Sequence, residues 1–188
     1  MILAAALSRH LPADSKEAAD LRTIVEFVSR HPRPFDRLIP EGHLTGSAFV
    51  VSTDGERVLL LHHRKLGCWL QPGGHGDAGE DSGEQVALRE AVEETGLDDL
   101  ALHPTAPRPL DVDVHLIPAR PGEPEHHHLD LRYLFVARDA GTLRRAEAES
   151  NDLRWFAWDE LPALGLDPGL ERGLCKAHAL WGPAAASR

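Results

Sequence analysis

Cysteine is scarce in this chain of 188 residues: Cys68 and Cys175 are the only two, and they lie far apart. That excludes a disulfide framework and any of the paired spacings that hold zinc or run redox chemistry. Free thiols in a reducing compartment are the expectation. Basic residues are also in short supply, with 20 Lys and Arg against 30 Asp and Glu, for a formal net charge of −10. Nonspecific binding to nucleic acid polymers or anionic membranes, which needs basic patches, is excluded on that balance. No apolar run approaches the ~20 residues of a membrane span. The opening MILAAALSRHL is apolar but has no basic segment before it, so it does not read as a signal peptide. A cytoplasmic protein is expected. No internal repeat is visible. A hydrophobic content of 42% supports a proper core, and the length fits one domain with decoration.

Most of the information sits between Gly73 and Leu97, GGHGDAGEDSGEQVALREAVEETGL. At ~100° per residue, Val86, Arg89, Glu90, Glu93 and Glu94 fall on one arc of a helix. Ala87, Leu88, Ala91, Val92 and Thr95 fall on the other. Glu90 is spaced i+3 from Glu93 and i+4 from Glu94, so like charges crowd, at a few tenths of a kcal/mol each in an isolated helix. A bound divalent cation reverses the sign of that cost. Arg89 is the one nearby cation and is suited to orient a glutamate by a bidentate contact. Ser82 with Gln85 reads as a capping box, and Gly96 followed by Leu97 as a left-handed C-terminal stop. Acidic helices are usually just solvated faces. The conjunction with Gly73-Gly74, Arg89 and Gly96 points instead to hard cations held against a phosphate chain.

This segment resembles the Nudix box, G-x5-E-x7-R-E-U-x-E-E-x-G-U with U apolar. Its second half, Arg89 to Leu97, matches at every fixed position. The first half departs: Gly74-x5-Glu80 fits, but eight residues separate Glu80 from Arg89. A one-residue insertion near Gly76-Asp77-Ala78-Gly79 leaves the roles of Glu80 and Asp81 open. A wider resemblance, to a bacterial Nudix subgroup, covers about residues 40 to 160. It rests on Gly42 to Ser47, His63 to His75 and His126 to Tyr133.

Residues 1 to 40 read as a helical extension packed on the same domain. Asp14 and Glu17 cap a helix running to about Arg30, with an apolar stripe of Ala18, Leu21, Ile24, Val25 and Val28. His31-Pro32-Arg33-Pro34 ends it. Strands are expected at Ser47–Ser52 and Val58–His63 around an Asp54-Gly55 turn, at Leu110–Ile117, at His126–Val136 and at Asp152–Trp158. A short helix then starts at Asp159-Glu160, and Pro168 to about Trp181 forms the last helix. Residues 41–182 make the main domain, and 183–188 a loose tail. Strands around a buried helix, with helices at both ends, suggest an α/β/α sandwich on a mixed sheet. The Nudix resemblance implies the same.

On the His126 strand, His126, His128, Asp130 and Arg132 share one face, and His127, Leu129, Leu131 and Tyr133 the other. The polar face suits a phosphate wall or a second metal, and two histidines with an aspartate are a zinc-type donor set without fixed geometry. A half-exposed strand would show the same alternation. Asp111, Asp113 and His115 join this wall if their strand pairs with it. His75 follows the glycines and could donate to an oxyanion. Arg64 and Lys65 lie in the approach loop, within reach of phosphate. Trp69 stacks on a base or fills the core.

The resemblance implies metal-dependent hydrolysis of a diphosphate bond in a nucleoside diphosphate-X substrate. Glu90, Glu93 and Glu94 would hold Mg²⁺ or Mn²⁺, with Gly73 as a further ligand through its carbonyl, and Arg89 would orient the glutamates. The general base would be a box glutamate or a late-loop acid, for which Glu149 and Glu147 both qualify. A nucleotide-binding sensor without hydrolysis is one alternative, disfavoured by the intact acids. An isoprenyl diphosphate isomerase is another, with Cys68 as its only candidate cysteine. Decapping of nucleic acid is disfavoured by the charge. A homodimer is compatible with the family.

Overall fold

A computed structural model describes residues 2–138 and 141–181; the expected tail at 183–188 lies outside them. Among the described residues, one eight-stranded mixed sheet is flanked by helices on both faces, the α/β/α sandwich expected. Its spine is two long strands, β1 (Gly42–Ser52) and β7 (His126–Ala137). They run parallel and in register from Gly42 opposite His127 to Ser52 opposite Ala137. Each spine strand changes its outer partner halfway. β1 pairs with β4 (Gly73–His75) through Thr45 to Ser47, then with β2 (Arg57–His63) at Val50 and Val51. β7 pairs with β6 (Asp111–Ile117) from His126 to Arg132, then with β5 (Leu100–Leu102) from Phe135 to Ala137. β2 also carries β3 (Trp69–Leu70) and β8 (Ser150–Ala157). The glycines expected as a loop therefore begin as a strand, and β3 and β5 are strands the sequence pattern did not reveal.

Alternation sorts the spine into two faces. Leu44, Ala48, Val50, Leu129, Leu131, Tyr133 and Phe135 join one core with Val86, Ala87 and Ala91 of α3 (Gly83–Thr95) and Ile24 and Phe27 of α2 (Ser15–Arg30). Phe49, Val51, Leu134 and Val136 join the second with Leu170, Leu174 and Ala177 of α4 (Pro168–Trp181). Full burial of each large aliphatic side chain contributes about 1.5–3 kcal/mol. α3 lies so close to β1 that a Cβ at Gly46 would sit 2.5 Å from the Gly83 carbonyl oxygen, so no side chain is tolerated there.

α2 starts as expected, with Asp14 accepting the Glu17 N–H at 2.7 Å. Its buried face differs from the expected stripe. Glu17, Asp20, Ile24 and Phe27 are buried, while Val25 is 43% exposed. The reason is that α2 lies along the edge strand β6, where Glu17 accepts from the Val112 N–H at 3.4 Å and covers the edge. A preceding helix, α1 (Ile2–Leu7), packs on α2. A 3-10 helix at Trp158–Ala163 replaces the short helix expected there. None of the described helices is long and apolar enough to cross a membrane.

α3 departs from the helical-wheel expectation as well. The buried positions are Gly83, Val86, Ala87, Ala91, Glu94 and Thr95, whereas Leu88 is exposed. The helix is turned so that Glu94, a carboxylate, points inward. Ser82 is the N-cap residue but makes no side-chain cap hydrogen bond, so the expected capping box is absent. Close packing fixes the start instead: a Cβ on Gly83 would lie 2.9 Å from both Leu131 and the Tyr133 hydroxyl. Gly96 ends the helix in the left-handed region, at φ 73°, as expected.

Candidate active site

The carboxylates of α3 meet β4 and the loop before β8. Arg89 is the hub. It binds Glu80 through Nε and Nη2, both at 3.1 Å, Glu90 at 3.1 Å and Glu93 at 3.0 Å. Its Nη2 also donates to the His75 carbonyl oxygen at 2.6 Å, tying the helix to β4. This resolves the ambiguity in the first half of the box: Glu80 takes the arginine, and Asp81 is exposed. The hydrogen bonds from Arg89 and the Asp77 N–H outweigh the burial of Glu80 and hold its carboxyl below the usual range.

Glu94 is 5% exposed and accepts the Gly73 N–H at 2.9 Å. Glu149, in the loop before β8, lies against it. Burial first, and then Glu149 and Glu90, push its carboxyl well above the ordinary carboxylate range. Glu90 is raised too, by burial and by repulsion from Glu93 and Glu149, partly offset by Arg89. Of the two late-loop acids, it is Glu149 that faces the box. A Cβ at Gly74 would stand 2.4 Å from Glu90 Oε1, so the glycine leaves that carboxylate in its place against the strand. Glu94 and Glu149, beside Glu90, form an oxygen-rich donor set that suits Mg²⁺ or Mn²⁺. The residues present therefore fit the cation that the box implies. Gly73 contributes its N–H to Glu94.

The remaining candidates separate. Arg64 is exposed beside this loop, with its N–H on the Glu149 carbonyl at 2.8 Å and Nε 3.3 Å from Asn151. Trp69 is half-buried, with Phe156 and His62 packed edge-on against it at 4.7 and 5.2 Å, so it acts as packing. Arg132 is 4% exposed and paired with Asp130, Asp111 and Asp113. It is part of the scaffold and does not line the site. β6 does pair with β7, placing Asp111, Asp113 and His115 opposite Arg132, Asp130 and His128.

The histidines turn toward one another. His43, His75 and His128 bring their ring nitrogens within 4.8 Å, and His126 stacks on His43 at 5.1 Å between ring centroids. Burial, followed by the neighbouring imidazoles and Arg37, lowers His43 and His75 to about 4, and His128 falls further, so all three are neutral at pH 7. Asp130 does not join them. It accepts from Thr45, Ser47 and Arg132, and the side chains that meet are three histidines. His43 was missed as a site residue. Its alternation with Thr45 and Ser47 was the available signal.

Comparison with known proteins agrees with this geometry. The family model for the NUDIX domain matches residues 43–176. "Putative 8-oxo-dGTP diphosphatase 3" of Mycobacterium tuberculosis is 37% identical over 123 residues, 62% of this chain and 52% of its own length. The chain thus spans about half the length of the curated relatives it matches. Among solved structures, a MutT NUDIX hydrolase from Burkholderia pseudomallei is 30% identical with a TM-score of 0.52, covering 72% of this chain and 98% of its own. An Ap4A hydrolase from C. elegans shares the fold, with a TM-score of 0.58 at 19% identity, covering 73% and 96%.

Proposed function

Since the chain belongs to the Nudix family, we propose that it hydrolyses a phosphoanhydride bond in a nucleoside diphosphate-X type substrate, using Mg²⁺ or Mn²⁺. The observation that carries this reading is the buried Glu94 carboxyl on the Gly73 N–H, with Glu90 and Glu93 alongside and Arg89 as the hub cation. Glu90, Glu93 and Glu94 hold the cations. When bound, these neutralise phosphate oxygens and lower the pKa of an attacking water. Arg89 fixes Glu90 and Glu93 and anchors β4 through the His75 carbonyl. Gly74 gives Glu90 room beneath the strand. Glu149, exposed and opposite Glu94, receives the proton of the attacking water. Arg64, beside Glu149, offers a cation to the phosphate chain. The named relatives support the substrate class: 8-oxo-dGTP and Ap4A both join a nucleoside to a phosphoanhydride chain.

The isomerase alternative loses support. Cys68 lies largely exposed in the turn before β3, and partial desolvation of its thiol together with the Asp167 charge raises its pKa. An activated thiolate needs the opposite environment.

The test is phosphate release from ADP-ribose, nucleotide-sugars, dinucleoside polyphosphates and dNTPs, with and without Mg²⁺ or Mn²⁺. The expected outcome is metal-dependent turnover of one class, reduced about 100- to 1,000-fold in Glu93→Gln. Turnover that is unchanged in Glu93→Gln, or indifferent to chelation, would overturn the reading.

A further inference from the structure

The face of the spine that carries α4 changes character along its length. On β7 it passes from Val136 and Leu134, in the core, through Arg132 and Asp130, in ion pairs, to His128 and His126. On β1 it passes from Phe49 through Ser47 and Thr45 to His43. Register sets His43 directly opposite His128, and β4 places His75 opposite Thr45 on the same face. Three adjacent strands thus deliver three imidazoles to one point.

The contacts there differ from those of packed core histidines. His75 Nε2 and His128 Nε2 lie 3.1 Å apart. Ligand nitrogens on a tetrahedral ion, with bonds of about 2.0–2.1 Å, stand about 3.3 Å apart. The ring centroids of His43 lie 5.0 Å from those of both His75 and His128. His43 is 2% exposed, yet neither of its ring nitrogens has a hydrogen-bond partner. Buried polar atoms are almost always satisfied, so this one requires an explanation. His126, 7% exposed, has no hydrogen bond at Nε2, with the Glu123 carboxylate 3.8 Å away. Asp130, the nearest acid along β7, is engaged by Thr45, Ser47 and Arg132. The donor set is therefore all nitrogen.

We propose that His43, His75 and His128 bind one borderline-soft divalent cation of the Zn²⁺ class, separate from the oxygen-ligated site of the box. Imidazole donors without carboxylate suit Zn²⁺, Co²⁺ or Ni²⁺ and are poor for Mg²⁺. His126, stacked on His43, is placed to fill or line the fourth position. β4 links the two sites by alternation. Gly74 faces Glu90 on one side of the strand, and His75 faces the imidazoles on the other. An ion held by His75 clamps the strand whose Gly73 N–H binds Glu94.

The experiment uses the full chain without an affinity tag, stripped with chelator and titrated with Co²⁺ as a spectroscopic stand-in for Zn²⁺. The expected result is one equivalent giving the strong visible absorption of a four-coordinate, nitrogen-ligated ion, displaced by Zn²⁺ and unaffected by excess Mg²⁺. Glu90→Gln/Glu93→Gln should keep this spectrum. His43→Gln and His128→Gln, tested separately in case either fails to fold, should weaken binding about 100-fold. A weak six-coordinate spectrum, no stoichiometric binding, or a signal lost in the glutamate variant and kept in the histidine variants would overturn the proposal. Because Co²⁺ binding is read without turnover, its failure is distinct from failure of the hydrolase reading.

Discussion

Two clusters of carboxylates occupy this molecule, and they are built on opposite principles. In the first, Glu17, Asp20, Asp111, Asp113 and Asp130 meet Lys16, Arg132, Arg172 and Lys176 where α2, β6, β7 and α4 converge. Arg172 holds Asp111 through two nitrogens at 2.8 and 2.9 Å, and Lys176 reaches both Glu17 and Asp111. Nearly every charge there has a partner. In the second, Asp77, Glu80, Glu90 and Glu93 share one arginine, Arg89, and buried Glu94 faces Glu149 with no basic side chain between them among the described residues. The balanced cluster fastens the N-terminal extension and the C-terminal helix to the sheet edge. The unbalanced one is left with negative charge that a bound cation would offset. The acids become informative about function through the missing counter-charge, not through their number.

That contrast predicts opposite effects for matched substitutions. The largest belongs to the balanced cluster. Asp111→Asn leaves Arg132, Arg172 and Lys176 short of a buried counter-charge and should destabilise the fold by about 3–5 kcal/mol. For a domain of this size the melting temperature should fall by roughly 10 °C, measured by calorimetry. Glu94→Gln should do the reverse in metal-free protein. The amide still accepts the Gly73 N–H, while the crowding with Glu90 and Glu149 is relieved, so the melting temperature should rise by a few degrees. The same variant should lose about 100- to 1,000-fold in kcat. If Asp111→Asn proves harmless, or Glu94→Gln unfolds the chain, the distinction between the clusters breaks down.

The sequence made the second cluster legible and left the first almost invisible. The box acids recur at i, i+3 and i+4 within one helix, so local spacing alone brings them together. The β7 alternation was equally readable, because period two survives without knowledge of the partner strands. Glu80 against Asp81 could not be decided in the sequence, since the choice depends on how the Gly76–Gly79 segment folds back onto Arg89. His43 was hidden for a similar reason. Its meeting with His128 depends on a parallel register between strands far apart in the chain. Glu17 and Asp20 look like ordinary solvent-facing residues of an amphipathic helix. They are buried only because α2 lies against an edge strand whose backbone and neighbouring cations need acceptors.

The smallest effect, and the sharpest test of the comparison, is the shape of stability against pH. For Glu17, burial alone would raise the carboxyl, but hydrogen bonds from His10, Lys176 and the Ala13 N–H hold it far below the usual range. Asp113 is held down likewise, with burial outweighed by His115, Arg132 and Lys16. A folded-state pKa below the unfolded value of about 4 means that the unfolded chain binds more protons in acid. This stability is complete above that value and is lost as pH falls through it. Glu94 and Glu90 are raised, so the sign inverts. Between their raised values and about 4.3 the folded state binds more protons, and stability increases as pH falls. Burial also holds His43, His75 and His128 below the unfolded value of about 6.5, so the unfolded chain binds more protons in mild acid. Metal-free protein should therefore melt highest near neutral pH, a few degrees lower in mild alkali, and progressively lower as pH falls from about 6.5 through 4. Glu94→Gln should flatten the alkaline limb, and Glu17→Gln should make the fall below about pH 4 shallower, each leaving the other limb unchanged. Saturating Mg²⁺ should flatten the alkaline limb in wild type, because the cation takes the place of the proton on Glu94. An alkaline limb that persists in Glu94→Gln would mean that the box acids are not the strained cluster.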